Sequence, residues 1–151
     1  MAVVYFDSSA LVKLVVDEAA SDLAGQLWDG CDAALTSRLA YPEVCAALAA
    51  AGRDHDIDAA GLLDATNSWE EFWAAIRPVE LTVSVERAAG RLARAHMLRG
   101  ADAVHLASAM TIAGSARERG DLVVAVWDRR LHAGAVAEHL AVAPATLPGR
   151  P

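Results

Sequence analysis

The sequence predicts an α/β fold in which a central parallel β-sheet of four to five strands is flanked by helices on both faces. Short apolar segments rich in β-branched residues alternate with longer segments of helical periodicity, which is typical of a parallel sheet with crossover helices. Two of the short segments, residues 2–6 and 122–127, run directly into an aspartate, a residue type favoured at helix N-termini. A chain of 151 residues supports one hydrophobic core of ordinary size, so we expect a single domain over residues 1–151.

Each predicted element follows from a local pattern. Residues 2–6 are continuously apolar and β-rich, which is typical of a buried strand, and Asp7 then supplies a helix-capping side chain. Residues 38–52 have helical periodicity and end at Gly52, a typical residue for a helix terminus. Further strands are predicted at 33–36, 79–82, 122–127 and 141–143, and further helices at 9–16, 21–30, 56–76, 84–98 and 102–114.

The composition is that of a compact globular chain rather than a disordered one, because apolar residues make up 55% and charged residues 22% of it. Cys31 and Cys45 form no CxxC motif and have no neighbouring histidine pair, so they predict neither a zinc knuckle nor a disulfide framework. The N-terminus lacks the basic start of a signal peptide, and no apolar run approaches the length of a membrane span. We therefore expect a cytoplasmic protein without a membrane partner.

The formal charge of −7 is unevenly distributed along the chain. Residues 1–76 carry a net charge of −10, whereas residues 77–151 carry +3 and hold ten of the twelve arginines. A net-negative protein lacks the counterion release that drives binding to nucleic acid. Such binding is therefore expected only where metal ions or clustered arginines reverse the local field.

Carboxylates follow the strand ends at which ligands bind in open α/β sheets. Asp7 ends the first predicted strand, Asp128 ends the fourth, and Asp102 opens the helix that leads into the fourth. Each of them, taken alone, is explained by the preference of aspartate for helix N-termini. Asp121 is a poor substitute for Asp128, because it precedes the same strand and would face the opposite edge of the sheet.

Glu43 is harder to explain as a capping residue. On a continuous helix it shares a face with apolar residues such as Leu39 and Ala47, and a carboxylate on that core-facing side must be paired or bind a cation. Alternatively, Pro42 marks a local helix start, and Glu43 is a favourable charge in its first turn. If all four acids converge, their repulsion calls for hard cations such as Mg²⁺ or Mn²⁺, which prefer oxygen ligands.

Four segments resemble the PIN-domain nuclease family, and particularly the VapC toxins of bacterial toxin–antitoxin pairs. They are DSSALVKL at 7–14, SRLAYPEV at 37–44, LRGADAVHLASA at 98–109 and VAVWDRRLHAGA at 124–135. The order and spacing of these motifs agree with the family across nearly the whole chain. Val126 and Trp127 depart from it, because the family often has Ser or Thr two residues before its fourth acid. By this resemblance the fold is a PIN-like domain.

The resemblance implies a metal-dependent endoribonuclease acting as a toxin, which hydrolyses phosphodiester bonds in tRNA, rRNA or mRNA and so inhibits translation and growth. Asp7, Glu43, Asp102 and Asp128 match the acidic quartet of the family, whose members hold Mg²⁺ or Mn²⁺. A cation in such a site lowers the pKa of a bound water and neutralises charge on the leaving oxygen.

Candidate contacts to RNA lie next to these acids. Ser8 is adjacent to the first acid, although a helix cap is its more ordinary interpretation. His105 lies three residues after the third acid and is either a general acid or, more ordinarily, a structural histidine. Because guanidinium groups bind phosphate in bidentate fashion, three arginines near the third and fourth acids are candidates: Arg99, Arg129 and Arg130.

The resemblance also implies two protein partners, a VapB-type antitoxin that occludes the acidic groove and a second copy of the chain in a homodimer. The predicted helices within 38–76 are the candidate contact surface. They are alanine-rich and carry three large apolar side chains on one face, those of Trp69, Phe72 and Trp73.

Functions of other classes remain as alternatives. A catalytically inactive PIN module that binds RNA or a protein partner would keep the fold without the metal chemistry. A phosphatase of the haloacid-dehalogenase type requires a second aspartate where this chain has Ser9. A receiver-like module requires a late lysine, whereas the only lysine here is Lys13. Metal dependence of RNA cleavage separates the nuclease from the inactive module.

Overall fold

A computed structural model describes residues 2–115 and 121–148, with only the main chain described at Ser115. The strands of this part are β1 (Val3–Phe6), β2 (Ala33–Ser37), β3 (Arg77–Val79), β4 (Leu122–Ala125) and β5 (Ala141–Ala143). Its helices are α1 (Ser8–Val15), α2 (Ser21–Gly30), α3 (Ala40–Arg53), α4 (Ala59–Ala75), α5 (Val83–His96), α6 (Gly100–Ser115) and α7 (Arg129–Ala137). None of these helices is both long and apolar enough to cross a bilayer.

The strands form one parallel sheet in the order β3-β2-β1-β4-β5, which confirms the predicted fold class. β1 lies at the centre, between β2 and β4. The carboxyl ends of β1 and β4 are level, because Phe6 pairs with Ala125 and the Asp7 amide donates to the Ala125 carbonyl at 3.1 Å. The residues that follow these two strands therefore emerge side by side at one edge of the sheet.

Each face of the sheet carries its own hydrophobic core, as expected for helices on both faces. Side chains alternate along β1, so Tyr5 packs with α5, α6 and α7 on one face, whereas Val4 and Phe6 pack with α1, α3 and α4 on the other. The two cores hold α3 and α6 on opposite sides of β1. Side chains from both helices can thus meet beyond the end of this strand.

The third strand is displaced from its predicted position at 79–82. β3 is an edge strand of three residues whose pairing ends at Val79. Thr82 instead caps α5, its hydroxyl accepting from the Val85 amide at 3.2 Å. The cap prevails because an edge strand has one neighbour only, so extending it offers few hydrogen bonds in return for a lost helix cap.

The segment after the fourth strand also differs from the prediction. β4 ends at Ala125 rather than at residue 127, and helix α7, for which the pattern predicted no bounds, begins at Arg129. Asp128 caps this helix, accepting from two amides of its first turn at 2.9 and 3.0 Å. The other predicted elements agree with the observed bounds to within three residues.

The aromatic side chains of α4 do not form the exposed surface that their spacing suggested. Trp69 is fully buried, and Phe72 and Trp73 are half-buried. The Phe72 ring meets Trp28 edge-on with 4.7 Å between ring centroids, and the Trp73 ring centroid lies 5.2 Å from that of Tyr41. This face packs within the chain, so the prediction that it contacts a partner loses its main support.

Candidate active site

A recess of about 140 Å³ lies beyond the carboxyl ends of β1 and β4. It brings together the four acids that the sequence singled out, which come from four different segments of the chain. It also holds two of the residues predicted to contact RNA, Ser8 and Arg99. The side chains that line it are Asp7, Ser8, Ser9, Glu43, Arg99, Asp102, His105 and Asp128.

Asp7 is the most buried of the four acids and is held by α1. Its Oδ1 accepts from the Ala10 amide at 2.9 Å, and the Ser9 hydroxyl lies 2.7 and 2.8 Å from its two carboxylate oxygens. Burial raises the pKa of Asp7 to about 6, and the Asp128 carboxylate adds to the rise; the electrostatic effect of the nearby His105 and the two hydrogen bonds oppose it. Within the described ranges Asp7 forms no ion pair. The recess therefore contains a buried carboxylate whose ionisation is costly.

Ser9 ties the segment after β1 to the segment after β4. Its hydroxyl oxygen accepts from the Trp127 amide at 2.9 Å, and the same hydroxyl donates to the Asp7 carboxylate. Val126, which stands where the family often has Ser or Thr, is fully buried in the core on the α6 side of the sheet. The departure from the family pattern therefore leaves a well-anchored main chain leading to Asp128.

Glu43 reaches the recess from the first turn of α3. The buried face of that helix consists of Ala40, Val44 and Leu48. The predicted alignment of Glu43 with the core-facing stripe is therefore wrong. Glu43 lies in the first turn, as the alternative predicted, but the helix begins at Ala40 and not at Pro42. Its Oε1 accepts from the Ser8 hydroxyl at 2.7 Å and lies 2.7 Å from Nε2 of His105. Burial raises the pKa of Glu43. The hydrogen bonds from His105 and Ser8 and the electrostatic effects of His105 and Arg99 outweigh burial, so the pKa lies below its ordinary value.

Asp102 and Asp128 form the other side of the recess and are bridged by Arg99. Nε of Arg99 lies 3.0 Å from Oδ2 of Asp102, and its terminal nitrogen lies 3.3 Å from Oδ2 of Asp128. The Arg99 side chain is 68% exposed, so it can leave both carboxylates without disturbing the core. The arginine predicted to bind phosphate is thus the cation that these two acids hold in this structure.

A buried histidine reaches the recess from behind. His105 is 2% exposed and lies one turn after Asp102 on α6. Its Nδ1 is 2.9 Å from the Tyr5 hydroxyl, and its Nε2 contacts Glu43 and lies 3.1 Å from the Ser8 hydroxyl. The spacing of three residues from Asp102 was the signal for His105 in the sequence. Tyr5 offered no signal, because a tyrosine inside an apolar strand resembles any other core residue.

The remaining predicted contact residues have other surroundings. Ser8 does not cap α1, because Asp7 is the N-cap; the Ser8 hydroxyl instead faces the recess. The Arg129 guanidinium donates to the Pro148 carbonyl, and Arg130 is exposed in the first turn of α7. In the described part of the chain, neither of these two arginines lines the recess.

The chemistry of the recess suits a hard divalent cation. Four carboxylates supply the oxygen ligands that Mg²⁺ and Mn²⁺ prefer, and Asp102 and Asp128 already hold one cation between them. Across residues 2–115 and 121–148, no three acidic, histidine or cysteine side chains stand close enough together to form a ready-made metal centre. A bound cation therefore requires Arg99 to move and the carboxylates to draw together.

Comparison with known proteins agrees with this geometry. The family described as PIN domain matches residues 4–136, so the chain belongs to the PIN-domain family. Two curated proteins of Mycobacterium tuberculosis are each 65% identical to it over 149 residues, covering 97% of this chain and 99% of the relative. They are Ribonuclease VapC45 of strain CDC 1551 / Oshkosh and Ribonuclease VapC49 of strain ATCC 25618 / H37Rv. Within the family, the chain is therefore of the VapC type.

Two solved structures share the fold. A toxin-antitoxin complex from Klebsiella pneumoniae matches with a TM-score of 0.64 and 15% identity, covering 96% of this chain and 99% of that one. The protein PAE2754 from Pyrobaculum aerophilum matches with a TM-score of 0.60 and 22% identity, covering 93% of this chain and 83% of that one. At these identities the likeness shows the PIN-like fold.

Proposed function

We propose that the protein is the toxin of a toxin–antitoxin pair, an endoribonuclease that hydrolyses phosphodiester bonds in tRNA, rRNA or mRNA and so inhibits translation and growth. The observation that carries the proposal is the convergence of Asp7, Glu43, Asp102 and Asp128 in one recess. The names of the two Mycobacterium tuberculosis relatives, both ribonucleases, support the same activity.

The cofactor in this proposal is Mg²⁺ or Mn²⁺, with the four acids as its ligands. When bound, such a cation supplies a water of lowered pKa and neutralises charge on the phosphate oxygens. The chain's own contribution is to hold the carboxylates: Ser9 and α1 hold Asp7, while Ser8 and His105 hold Glu43. A divalent cation would also offset the cost of ionising the buried Asp7.

Arg99 is the substrate contact that the geometry supports best. Its guanidinium lies at the mouth of the recess and is exposed enough to exchange its carboxylate partners for phosphate oxygens. Ser8, also at the recess, is a second contact in the proposal. Arg129 and Arg130 follow the fourth acid on α7 and would meet the RNA outside the recess.

A VapB-type antitoxin and a second copy of the chain are the proposed protein partners. The Klebsiella pneumoniae structure is a toxin-antitoxin complex, which supports an antitoxin partner for this fold. The bridge made by Arg99 shows that a guanidinium fits between two of the acids, so an arginine of the antitoxin would fit there as well. The free thiols of Cys31 and Cys45 agree with a cytoplasmic location.

The inactive PIN module remains the second candidate. It is favoured by the spacing of the acids, since no ready-made metal centre occurs among the residues described. In that case the recess would bind an antitoxin or RNA without cutting it.

The test is cleavage of total cellular RNA by the purified protein with Mg²⁺ or Mn²⁺, beside EDTA and the Asp102→Asn variant. Asp64→Asn, an exposed substitution on α4, is the matched control. We expect discrete fragments that disappear with EDTA and with Asp102→Asn but persist with Asp64→Asn. Cleavage that survives EDTA or Asp102→Asn would contradict the proposal. Absence of cleavage with every RNA and both metals would favour the inactive module.

A further inference from the structure

We propose that His105, held by Tyr5, is a positioning residue that orients Glu43, an inference that rests on the function proposed above. His105 contacts three polar groups and is almost completely buried. Its Nδ1 lies 2.9 Å from the Tyr5 hydroxyl, and its Nε2 lies 2.7 Å from Oε1 of Glu43 and 3.1 Å from the Ser8 hydroxyl. Most polar side chains buried to this degree have their hydrogen bonds satisfied, and both ring nitrogens of His105 have a partner.

The direction of these hydrogen bonds follows from their donors and acceptors. Oε1 of Glu43 accepts from the Ser8 hydroxyl and lies 2.7 Å from Nε2 of His105, and because a carboxylate oxygen only accepts, Nε2 is the donor. The Tyr5 hydroxyl is fully buried and lies 2.9 Å from Nδ1 of His105, so it donates its one proton to that nitrogen. Tyr5 thereby favours the Nε2–H tautomer of His105, which is the form that can donate a hydrogen bond to Glu43.

This chain of hydrogen bonds fixes one end of the Glu43 carboxylate. Oε1 has two donors, the Ser8 hydroxyl and Nε2 of His105. In the portion of the chain that the structure describes, Oε2 forms no hydrogen bond. One oxygen is thus held by the protein, and the other is available to a ligand. Residues that orient a ligating carboxylate in this way contribute about 10- to 100-fold to metal affinity or activity.

The chain contains a second histidine–glutamate pair that serves as an internal control. Nε2 of His96 lies 2.6 Å from Oε1 of Glu138; neither side chain lines the recess, and His96 is more exposed than His105. Substitution of His96 therefore removes a similar hydrogen bond without affecting Glu43.

The first experiment measures Mn²⁺ affinity by calorimetry, and kcat and KM for RNA, in His105→Ala, His105→Gln and His96→Gln. We expect His105→Ala to weaken Mn²⁺ binding by about 10- to 100-fold and to lower kcat while KM stays unchanged. His105→Gln should recover part of both losses, because its amide can donate to Glu43. His96→Gln should leave both at the wild-type level. A folded His105→Ala protein with wild-type Mn²⁺ affinity would overturn the proposal.

The second experiment needs no variant at position 105 and no cleavage activity. The ¹⁵N shifts of the His105 imidazole at neutral pH report its tautomer in the wild-type protein and in Tyr5→Phe. We expect the Nε2–H tautomer in the wild type and a mixture in Tyr5→Phe. An Nδ1–H tautomer in the wild type would leave Nε2 without a proton to donate to Glu43 and would overturn the proposal. If instead the tautomer and Mn²⁺ results are as expected but no RNA is cut, it is the proposed function that fails.

Discussion

The two sides of the recess hold their acids in different ways. The side chains of Glu43 and Asp128 are equally exposed, at 29% each, so exposure does not distinguish them. Their partners do, because Glu43 is held by His105, which is 2% exposed, whereas Asp128 is held by Arg99, which is 68% exposed. A buried partner is shielded from competing ligands, whereas an exposed cation can be exchanged. The recess therefore has a preset side, where buried or capping groups hold Glu43 and Asp7, and an exchangeable side, where Arg99 holds Asp102 and Asp128.

The largest loss of activity is expected from substituting Asp7, the most buried acid on the preset side of the recess. Asp7→Asn should reduce RNA cleavage by more than about 100-fold, because a ligand contributes more than the residues that orient it. Cleavage of labelled RNA measures the loss. Asp58→Asn is the matched control, since Asp58 caps α4 through the Gly61 amide just as Asp7 caps α1 through the Ala10 amide. Similar losses in both variants would show that the cap matters, and not the recess.

The second effect is on stability, because Asp7 makes the free energy of unfolding depend on pH. The pKa of Asp7 rises from 3.8 to about 6 on folding, so the folded state favours the protonated carboxyl. Below pH 4 the protonated Asp7 carboxyl makes its full contribution to the free energy of unfolding. This contribution falls by about 2–3 kcal/mol as the pH rises to about 6, and it stays low at higher pH.

Urea unfolding of wild type and Asp7→Asn across pH 4 to 8, without metal, tests this dependence. Asn is as good an N-cap as Asp. The variant should therefore be the more stable protein above pH 6, and the two should converge near pH 4. A difference that does not change with pH would contradict the raised pKa of Asp7.

The smallest effect is expected on the exchangeable side. Arg99→Ala removes the guanidinium that competes for Asp102 and Asp128, so Mn²⁺ should bind about 10-fold more tightly while KM for RNA rises. Calorimetry and steady-state kinetics measure the two changes. Arg38→Ala, which removes an exposed ion pair with Glu80, should change neither. Weaker Mn²⁺ binding in Arg99→Ala would show that Arg99 organises the acids instead of occupying them.

Prediction from the sequence succeeded where the signal lies within one element. The parallel sheet follows from short apolar strands between helices, and Asp7 and Asp128 were found because each is close to a strand end. It was wrong where two local preferences compete, as at Thr82, which caps a helix instead of ending a strand. It was also wrong about the face of α3 that carries Glu43, because the first turn of a helix offers too few residues for its rotation to be read from periodicity.

The fold class, the family and the four candidate acids could all be predicted from strand ends, helix caps and motif spacing, which are properties of the chain read along its length. The groups that hold each acid are visible in the tertiary structure alone. Tyr5 and His105 are 100 residues apart, His105 and Glu43 are 62 apart, and Arg99 and Asp128 are 29 apart. Such contacts depend on how α3, α6 and α7 are rotated over the ends of β1 and β4. That rotation is set by packing in the two cores, so no pattern within a single element specifies it.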